Sequence, residues 1–261
     1  MDLGIRGKKT LITGAGRGLG RSMAECLARE GAIIFGVSRQ EKDLEELLKK
    51  MGGEKAGHRV FSLDLMPEGA PAQLVNELKS WGDPEIVVHN VGGNLGISDP
   101  FCSLEDWRRI QRFNVEIPIE LNQHLIPPMQ KKGWGRICHI ASIAGLENQG
   151  VPAYCAAKAG LISYVRSVGR YVSKDGVIMT SVLPGAVFTE GGYWDEASRN
   201  RPEHVEKYLK ERMAIQRFGT LDEIGNVVTF LCSEQASFCV GSAFLVDGGQ
   251  GRLFYHQEGI L

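Results

Sequence analysis

Tyr154 precedes Lys158 by four residues in the run VPAYCAAKAG at 151–160. Positions i and i+4 share a helix face, so a helix here would bring a phenol and an ammonium together. A free phenol titrates near ~10 and is a poor base at neutral pH. A cation beside it favours the phenolate and lowers that value. Such a pair could move a proton as acid and base. The same spacing also arises wherever two residues merely share a helix face, so its weight depends on what surrounds it.

A second constellation lies far upstream. Thr13-Gly14-Ala15-Gly16-Arg17-Gly18-Leu19-Gly20 follows an apolar run and opens a helical pattern. The spacing is TGxxxGxG rather than GxGxxG, because Leu19 stands at the sixth position from Gly14. The physical reading is unchanged. Glycines let the backbone turn sharply and approach a pyrophosphate, while the helix N-terminus turns its amides toward that charge. The next apolar run ends in Phe35-Gly36-Val37-Ser38-Arg39-Gln40, with no carboxylate where a dinucleotide site for NAD places one on the ribose 2′-hydroxyl. Ser38 and Arg39, with Arg17 from the glycine loop, could instead grip a 2′-phosphate. NADP(H) is therefore favoured over NAD(H).

Other reactive side chains form no such set. The six histidines lack metal-ligand spacing such as HExxH, and no metal is expected. His139 reads as a satisfied core residue within a strand, and His89 as a packing residue. The six cysteines are scattered without a CxxC pair, which suits reduced thiols. Cys155, beside Tyr154, points away from its neighbour on a helix and is not expected to act as a nucleophile.

Apolar runs at 10–13, 32–37, 59–63, 86–89, 136–141, 177–183 and 243–246 suit strands buried on both faces, as in a covered parallel sheet. Helical patterns at 18–30, 41–50, 70–79, 104–131, 153–173 and 221–232 alternate with them. Strand–helix repetition implies right-handed crossovers and one doubly wound α/β domain over residues 1–261. The polar, aromatic-containing segment at about 190–215 interrupts the rhythm. It reads either as a substrate lid, with Tyr193, Trp194 and Met213 over a ligand, or as a helical surface excursion.

The chain has 261 residues, 43% of them hydrophobic, enough for a sizeable core. Thirty basic and thirty-one acidic residues give a formal net charge of −1. With no block of like charge, neither a nucleic-acid nor an anionic-membrane partner is expected. No apolar run approaches membrane-spanning length and the N-terminus has no apolar leader, so a cytoplasmic protein is expected.

These motifs, in this order, resemble the short-chain dehydrogenases/reductases over almost the full chain. TGAGRGLG stands at the glycine loop, and Asp64-Leu65 follow the third strand, where the family's Asp contacts adenine. His89-Asn90-Val91-Gly92 sits where NNAG is usual, so Asn90 and Gly92 match while His89 and Val91 depart. Phe113-Asn114-Val115, Ser142, the Tyr154/Lys158 pair, Pro184-Gly185 with Val187 and Thr189, and Asp247-Gly248-Gly249 complete the series. The resemblance implies a seven-stranded parallel sheet, a nicotinamide cofactor and a homo-oligomer, tetramer or dimer. It also implies that Tyr154 is the acid/base and Lys158 its electrostatic and ribose-binding partner, with Ser142 stabilising the substrate oxygen. The Asn114 main-chain carbonyl would hold a water in a proton relay. Pro118 has no N–H to give that carbonyl, and a kink is expected there. The chain runs past the DGG through residues 250–261, where Phe254 and Tyr255 could dock on a neighbouring subunit or the terminus could fray.

The expected activity is interconversion of a small-molecule carbonyl and a secondary alcohol. The substrate could be like a 3-oxoacyl thioester, whose reductases share the Arg217-Phe218-Gly219 segment, or like a sugar or polyol. The Gly92-Gly93-Asn94-Leu95-Gly96 loop could shape a pocket for a polar substrate. The alternative is a nicotinamide-binding regulator or scaffold without turnover. Its weakness is that a binding-only protein has no chemical need for Ser142, Tyr154 and Lys158 together.

Overall fold

A computed structural model describes residues 1–147 and 149–252 of the chain. Seven strands form one sheet: β1 (Lys9–Thr13), β2 (Ile33–Ser38), β3 (Arg59–Ser62), β4 (Ile86–His89), β5 (Gly135–Ile140), β6 (Val177–Pro184) and β7 (Ala243–Val246). Their order is β3-β2-β1-β4-β5-β6-β7, and every neighbouring pair is parallel. All residues of β4, β5 and β6 are buried, which explains why they read as unbroken apolar runs.

The helices are α1 (Gly18–Arg29), α2 (Glu41–Lys50), α3 (Ala70–Trp81), α4 (Leu104–Gln111), α5 (Ile117–Lys132), α6 (Ala144–Glu147), α7 (Pro152–Val172), α8 (Tyr193–Asn200), α9 (Pro202–Arg212) and α10 (Leu221–Leu231). One face of the sheet is covered by α1, α2 and α10, whose Met23, Leu27, Leu44, Leu47, Ile224 and Val228 pack on Ile12, Ile34, Val88 and Val182. The other face carries α3, α5 and α7, with Leu74, Leu78, Leu121, Leu125 and Val165 against Leu11, Phe35, Val87, Ile137 and Met179. Alternate residues of each strand thus enter opposite cores, as the pleat requires. Helix α10 starts on a capping box: the Thr220 hydroxyl accepts from the Glu223 N–H, and the Glu223 carboxylate accepts from the Thr220 N–H.

Two departures from the sequence reading bear on the site. The helix expected over 104–131 is divided by a π turn at Arg112–Glu116, where the Ile117 N–H reaches back five residues to the Arg112 carbonyl. Pro118 sits at the start of α5, so the break falls where its missing N–H and ring disfavour an ordinary turn. Arg112 spans this turn, donating to the Met66 carbonyl and to both carboxylate oxygens of Glu120. The segment at 190–215 is mostly helical, formed by α8 and α9. The expected docking residues Phe254 and Tyr255 lie outside the described residues.

Strand order reverses between β1 and β4. In an open α/β sheet the loops leaving such neighbours diverge and open a crevice beyond the strand ends.

Candidate active site

The crevice is floored by the glycine loop. Gly14 has φ +70°, and Gly20 packs so tightly that a Cβ there would lie 2.0 Å from the Gly14 carbonyl oxygen. The Asn90 amide nitrogen donates to the Thr13 and Gly14 carbonyls at 3.2 and 3.1 Å, tying the end of β4 to the loop. The Ala15 N–H donates to the Val37 carbonyl, which ties it to β2 as well. Gly14, Arg17, Gly18 and Leu19 line the open side, joined by Ser38, Arg39, Asp64, Leu65, Asn90, Gly92 and Thr189. Gly20 serves the loop from behind, and Val187 lies outside the lining, paired with Gly219.

Helix α1 begins at this loop with no acidic residue in its first turn and no side-chain cap on its N-terminal amides. Arg17, a cation at a positive helix end, adds to the same sign of potential. Among the described residues neither Arg17 nor Arg39 has an ion-pair partner. A cradle of close-approach glycines, free helix amides and two unpaired guanidiniums fits a phosphorylated dinucleotide. Asp43, which the sequence reading did not single out, also lines the crevice; its place in the first turn of α2 gives it a favourable helix end of its own.

The remaining candidates gather at the end of β5 beside Gly92; Tyr154 and Lys158 do not line the crevice itself, and Ser142 lines a neighbouring cavity. Lys158 is fully enclosed, and its Nζ donates to the Ile140 carbonyl at 2.8 Å. Burial holds its pKa down to about 7. Nζ lies 5.7 Å from the centre of the Tyr154 ring, one helical turn earlier on α7. Burial pushes the Tyr154 phenol above its ordinary value, opposed by a smaller effect from hydrogen bonding with Ser142. In the ligand-free protein desolvation dominates at both groups, raising the phenol and lowering the lysine; the expected lowering of the phenol by Lys158 and an oxidised nicotinamide concerns the cofactor-loaded site. The Ser142 hydroxyl oxygen accepts from the Ala144 N–H at 3.1 Å, and that turn continues into α6. Burial also raises the Cys155 thiol, an environment that disfavours a nucleophilic thiolate.

Asn114 sits in the π turn with its side chain wholly buried. Its Oδ1 accepts from the Gly93 N–H at 2.9 Å, and its Nδ2 donates to the Gly93 and Ile110 carbonyls, each at 2.8 Å. The side chain thereby fastens the β4–α4 loop to the helix break. A Cβ on Gly92 would come within 2.8 Å of Asn114 Oδ1 and 2.9 Å of Lys158 Nζ, so these three residues meet at one point. Asn94, by contrast, turns back to accept from the Gly96 N–H and lines neither cavity of the site.

Below Lys158 the sheet carries a polar row that sequence reasoning underrated. His89 and His139 are register partners on β4 and β5, with ring centres 4.6 Å apart. His89 Nε2 meets Asn122 Oδ1 at 2.8 Å, and Asn122 Nδ2 meets His139 Nε2 at 3.3 Å and the Tyr164 hydroxyl at 3.2 Å. The Nδ1 atoms of both histidines have no protein partner among the described residues, so His139 is not the satisfied core residue expected. Burial lowers the His89 pKa to about 4. It lowers His139 as well, with His89 and Lys158 adding to the effect.

A second cavity opens on the other side of Ser142, lined also by Gln149, Pro184, Gly185, Trp194, His204, Tyr208 and Gln250. Pro184 and Gly185, expected near the cofactor, face this cavity. Trp194 is the hub of its outer wall, with ring centres 4.3 Å from Tyr208 and 4.7 Å from Phe218. Of the three proposed lid contacts, Trp194 alone lines the cavity. Tyr193 is largely exposed, and Met213 is buried near Gly248. Gln250, three residues past Asp247, was missed because nothing in its immediate sequence marks it. Tyr208 lies in a readable helix, since Pro202 and Glu203 open α9 and Lys210 and Arg212 close it.

A family model described as enoyl-(acyl carrier protein) reductase matches residues 14–250. The chain belongs to the short-chain dehydrogenase/reductase family. Members of this family are NAD(P)-dependent oxidoreductases, and the chain shares that fold. A 3-oxoacyl-[acyl-carrier-protein] reductase from Aquifex aeolicus is 32% identical over 255 residues, covering 95% of this chain and 99% of the relative. The L-sorbose reductase of Gluconobacter frateurii, solved with NADPH and L-sorbose, superposes with a TM-score of 0.88 at 32% identity, covering 96% of this chain and 98% of that one. A 3-oxoacyl (acyl-carrier-protein) reductase from Agrobacterium tumefaciens, solved with NADP bound, has a TM-score of 0.87 at 26% identity, with 95% and 96% covered.

Proposed function

We propose that the chain interconverts a carbonyl and a secondary alcohol with NADP(H), using Tyr154 as acid and base. The observation that carries this reading is the meeting of Tyr154, Lys158 and Ser142 at the end of β5, next to Gly92 of the dinucleotide crevice. When bound, the nicotinamide would supply or accept the hydride at the substrate carbon. Tyr154, neutral in the ligand-free protein, holds the proton that a nascent alkoxide must receive. Ser142 offers a hydroxyl to the substrate oxygen and stabilises it as charge grows. Lys158 sits beside the phenol, and its proximity favours the phenolate once the proton has left. Asn114 holds the Gly92-Gly93 backbone against Lys158, and its main-chain carbonyl, which receives no N–H from Pro118, is assigned the water-holding step of the relay.

Preference for NADP(H) is supported by Arg17 and Arg39 beside Ser38 and by the absence of a carboxylate at the end of β2. The NADPH and NADP in the solved relatives agree with it. The natural test is a panel of ketones and alcohols assayed by absorbance at 340 nm with NADPH and NADH in parallel. NADPH should be preferred at least tenfold, and Arg39→Ala should erase most of that margin. Equal efficiency with both cofactors in the wild type would overturn the reading of Arg39. Nicotinamide binding without turnover of any panel member would favour a regulator or scaffold.

A further inference from the structure

The second cavity holds a hydrogen-bond chain whose ends are set by one buried glutamine. Gln250 is only 4% exposed. Its Oε1 accepts from the Ala186 N–H at 2.7 Å, which fixes which end of the amide is oxygen. Its Nε2 then donates to Gln149 Oε1 at 2.9 Å and to the Tyr208 hydroxyl oxygen at 2.6 Å. A primary amide has two N–H bonds, and both are thereby committed.

Two consequences follow at the cavity wall. The Tyr208 oxygen already accepts from Gln250, so its single O–H is directed away from Gln250. Burial pushes that phenol upward in pKa, which keeps the hydrogen in place at neutral pH. Gln149 accepts from Gln250 through its oxygen and gives one N–H to Glu147 at 3.0 Å, leaving its second N–H uncommitted among the described contacts. Tyr208 and Gln149 line the same cavity as Ser142, so one uncommitted donor hydrogen on each is available to a ligand there, with the Trp194 ring packed against Tyr208. A hydrocarbon chain threaded here would strip water from both donors and return no acceptor, a penalty that strongly disfavours it.

We propose that Tyr208, oriented by Gln250, is a specificity-determining residue that donates to an oxygen on the carbons flanking the reacting carbonyl. The substrate class is then a polyhydroxy ketone or its polyol, rather than a long acyl thioester. This inference rests on the carbonyl–alcohol reading above. Gln250 is a positioning residue, because its polar hydrogens are already engaged within the protein.

The test measures kcat and KM with NADPH for the wild type, Tyr208→Phe and Gln250→Met. The substrates are a ketohexose, 2-hexanone and acetoacetyl-CoA. For the ketohexose, Tyr208→Phe should raise KM about 10- to 100-fold with a smaller change in kcat. For 2-hexanone, which has no flanking oxygen, both constants should stay within about twofold. Gln250→Met should move the ketohexose KM in the same direction. A general loss of structure would depress both substrates together, so the ratio between them separates the two effects. Calorimetric titration of the ketohexose into the protein with NADP⁺ covers the case in which nothing is turned over. Binding weakened about tenfold in Tyr208→Phe upholds the inference while the catalytic reading fails. Wild-type turnover of acetoacetyl-CoA at least tenfold above any polyhydroxy ketone would overturn the inference and leave the catalytic reading standing. Equal loss on ketohexose and hexanone, or no calorimetric difference between wild type and Tyr208→Phe, would also overturn it.

Discussion

Lys158 and Trp194 lie on opposite sides of the same site and are held in different ways. Lys158 is enclosed by strand ends in register, by the Ile140 carbonyl and by the Gly92 backbone that Asn114 fastens in place. Trp194 belongs to α8, which packs with α9 through aromatic rings; Phe218 and the side chains of Gln250 and Arg252 are among their contacts with the rest of the chain. In the floor, Lys158 and Asn114 bond main-chain groups, which over-determines their geometry, while His89 and His139 beneath them are held by the Asn122 side chain. The cover depends on a few side-chain contacts, which can be altered without disturbing the strands. A fold that keeps its chemistry constant while changing its substrates is expected to divide its stability in this way.

The sharpest way to probe the floor is acid. His89 has its pKa lowered to about 4 by burial, so the unfolded chain binds more protons than the folded one between roughly pH 6.5 and 4. Stability is therefore fully present above pH 6.5 and is lost as pH falls toward 4. For His89 the loss is on the order of 3 kcal/mol, and His139 adds to it in the same direction. His89→Asn should flatten this dependence in denaturant titrations at stepped pH. An unchanged slope would mean that the histidine pair is not held neutral by the floor.

Gly92→Ala comes next in size. Its methyl would press on Asn114 Oδ1 and Lys158 Nζ, and neither side chain has room to leave. Unfolding free energy should fall by about 1–3 kcal/mol, with a large accompanying loss of turnover. A variant with wild-type kcat would show that the floor tolerates movement.

Trp194→Ala should have the smallest effect on stability, about 1 kcal/mol by thermal unfolding, because its ring contacts are partly exposed. Its effect should instead fall on substrate KM, with NADPH affinity within about twofold of wild type. A loss of NADPH binding would tie floor and cover together more closely than the contacts indicate.

The sheet was legible because buried parallel strands leave a plain signal, and β4 through β6 bear no exposed residue to blur it. The glycine loop and the Tyr154/Lys158 pair were legible because local spacing fixes their geometry. The π turn was half legible: Pro118 announced a break, but the clasp of the Asn114 side chain on Gly93 joins residues twenty-one apart in sequence. The upward push of burial on Tyr154 in the ligand-free protein was not legible, because desolvation has no signature in a four-residue spacing. Gln250 was beyond reach, since its role depends on Ala186, Gln149 and Tyr208 arriving from three other parts of the chain.

The most direct measurement compares Tyr154→Phe with the wild type, reading turnover at 340 nm and NADPH binding by the cofactor's fluorescence. The phenylalanine keeps the ring and removes the proton. Turnover should fall about 100- to 10,000-fold while NADPH binding stays within about threefold of wild type. A variant that retains more than a tenth of wild-type turnover would contradict the assignment of Tyr154 as the acid and base.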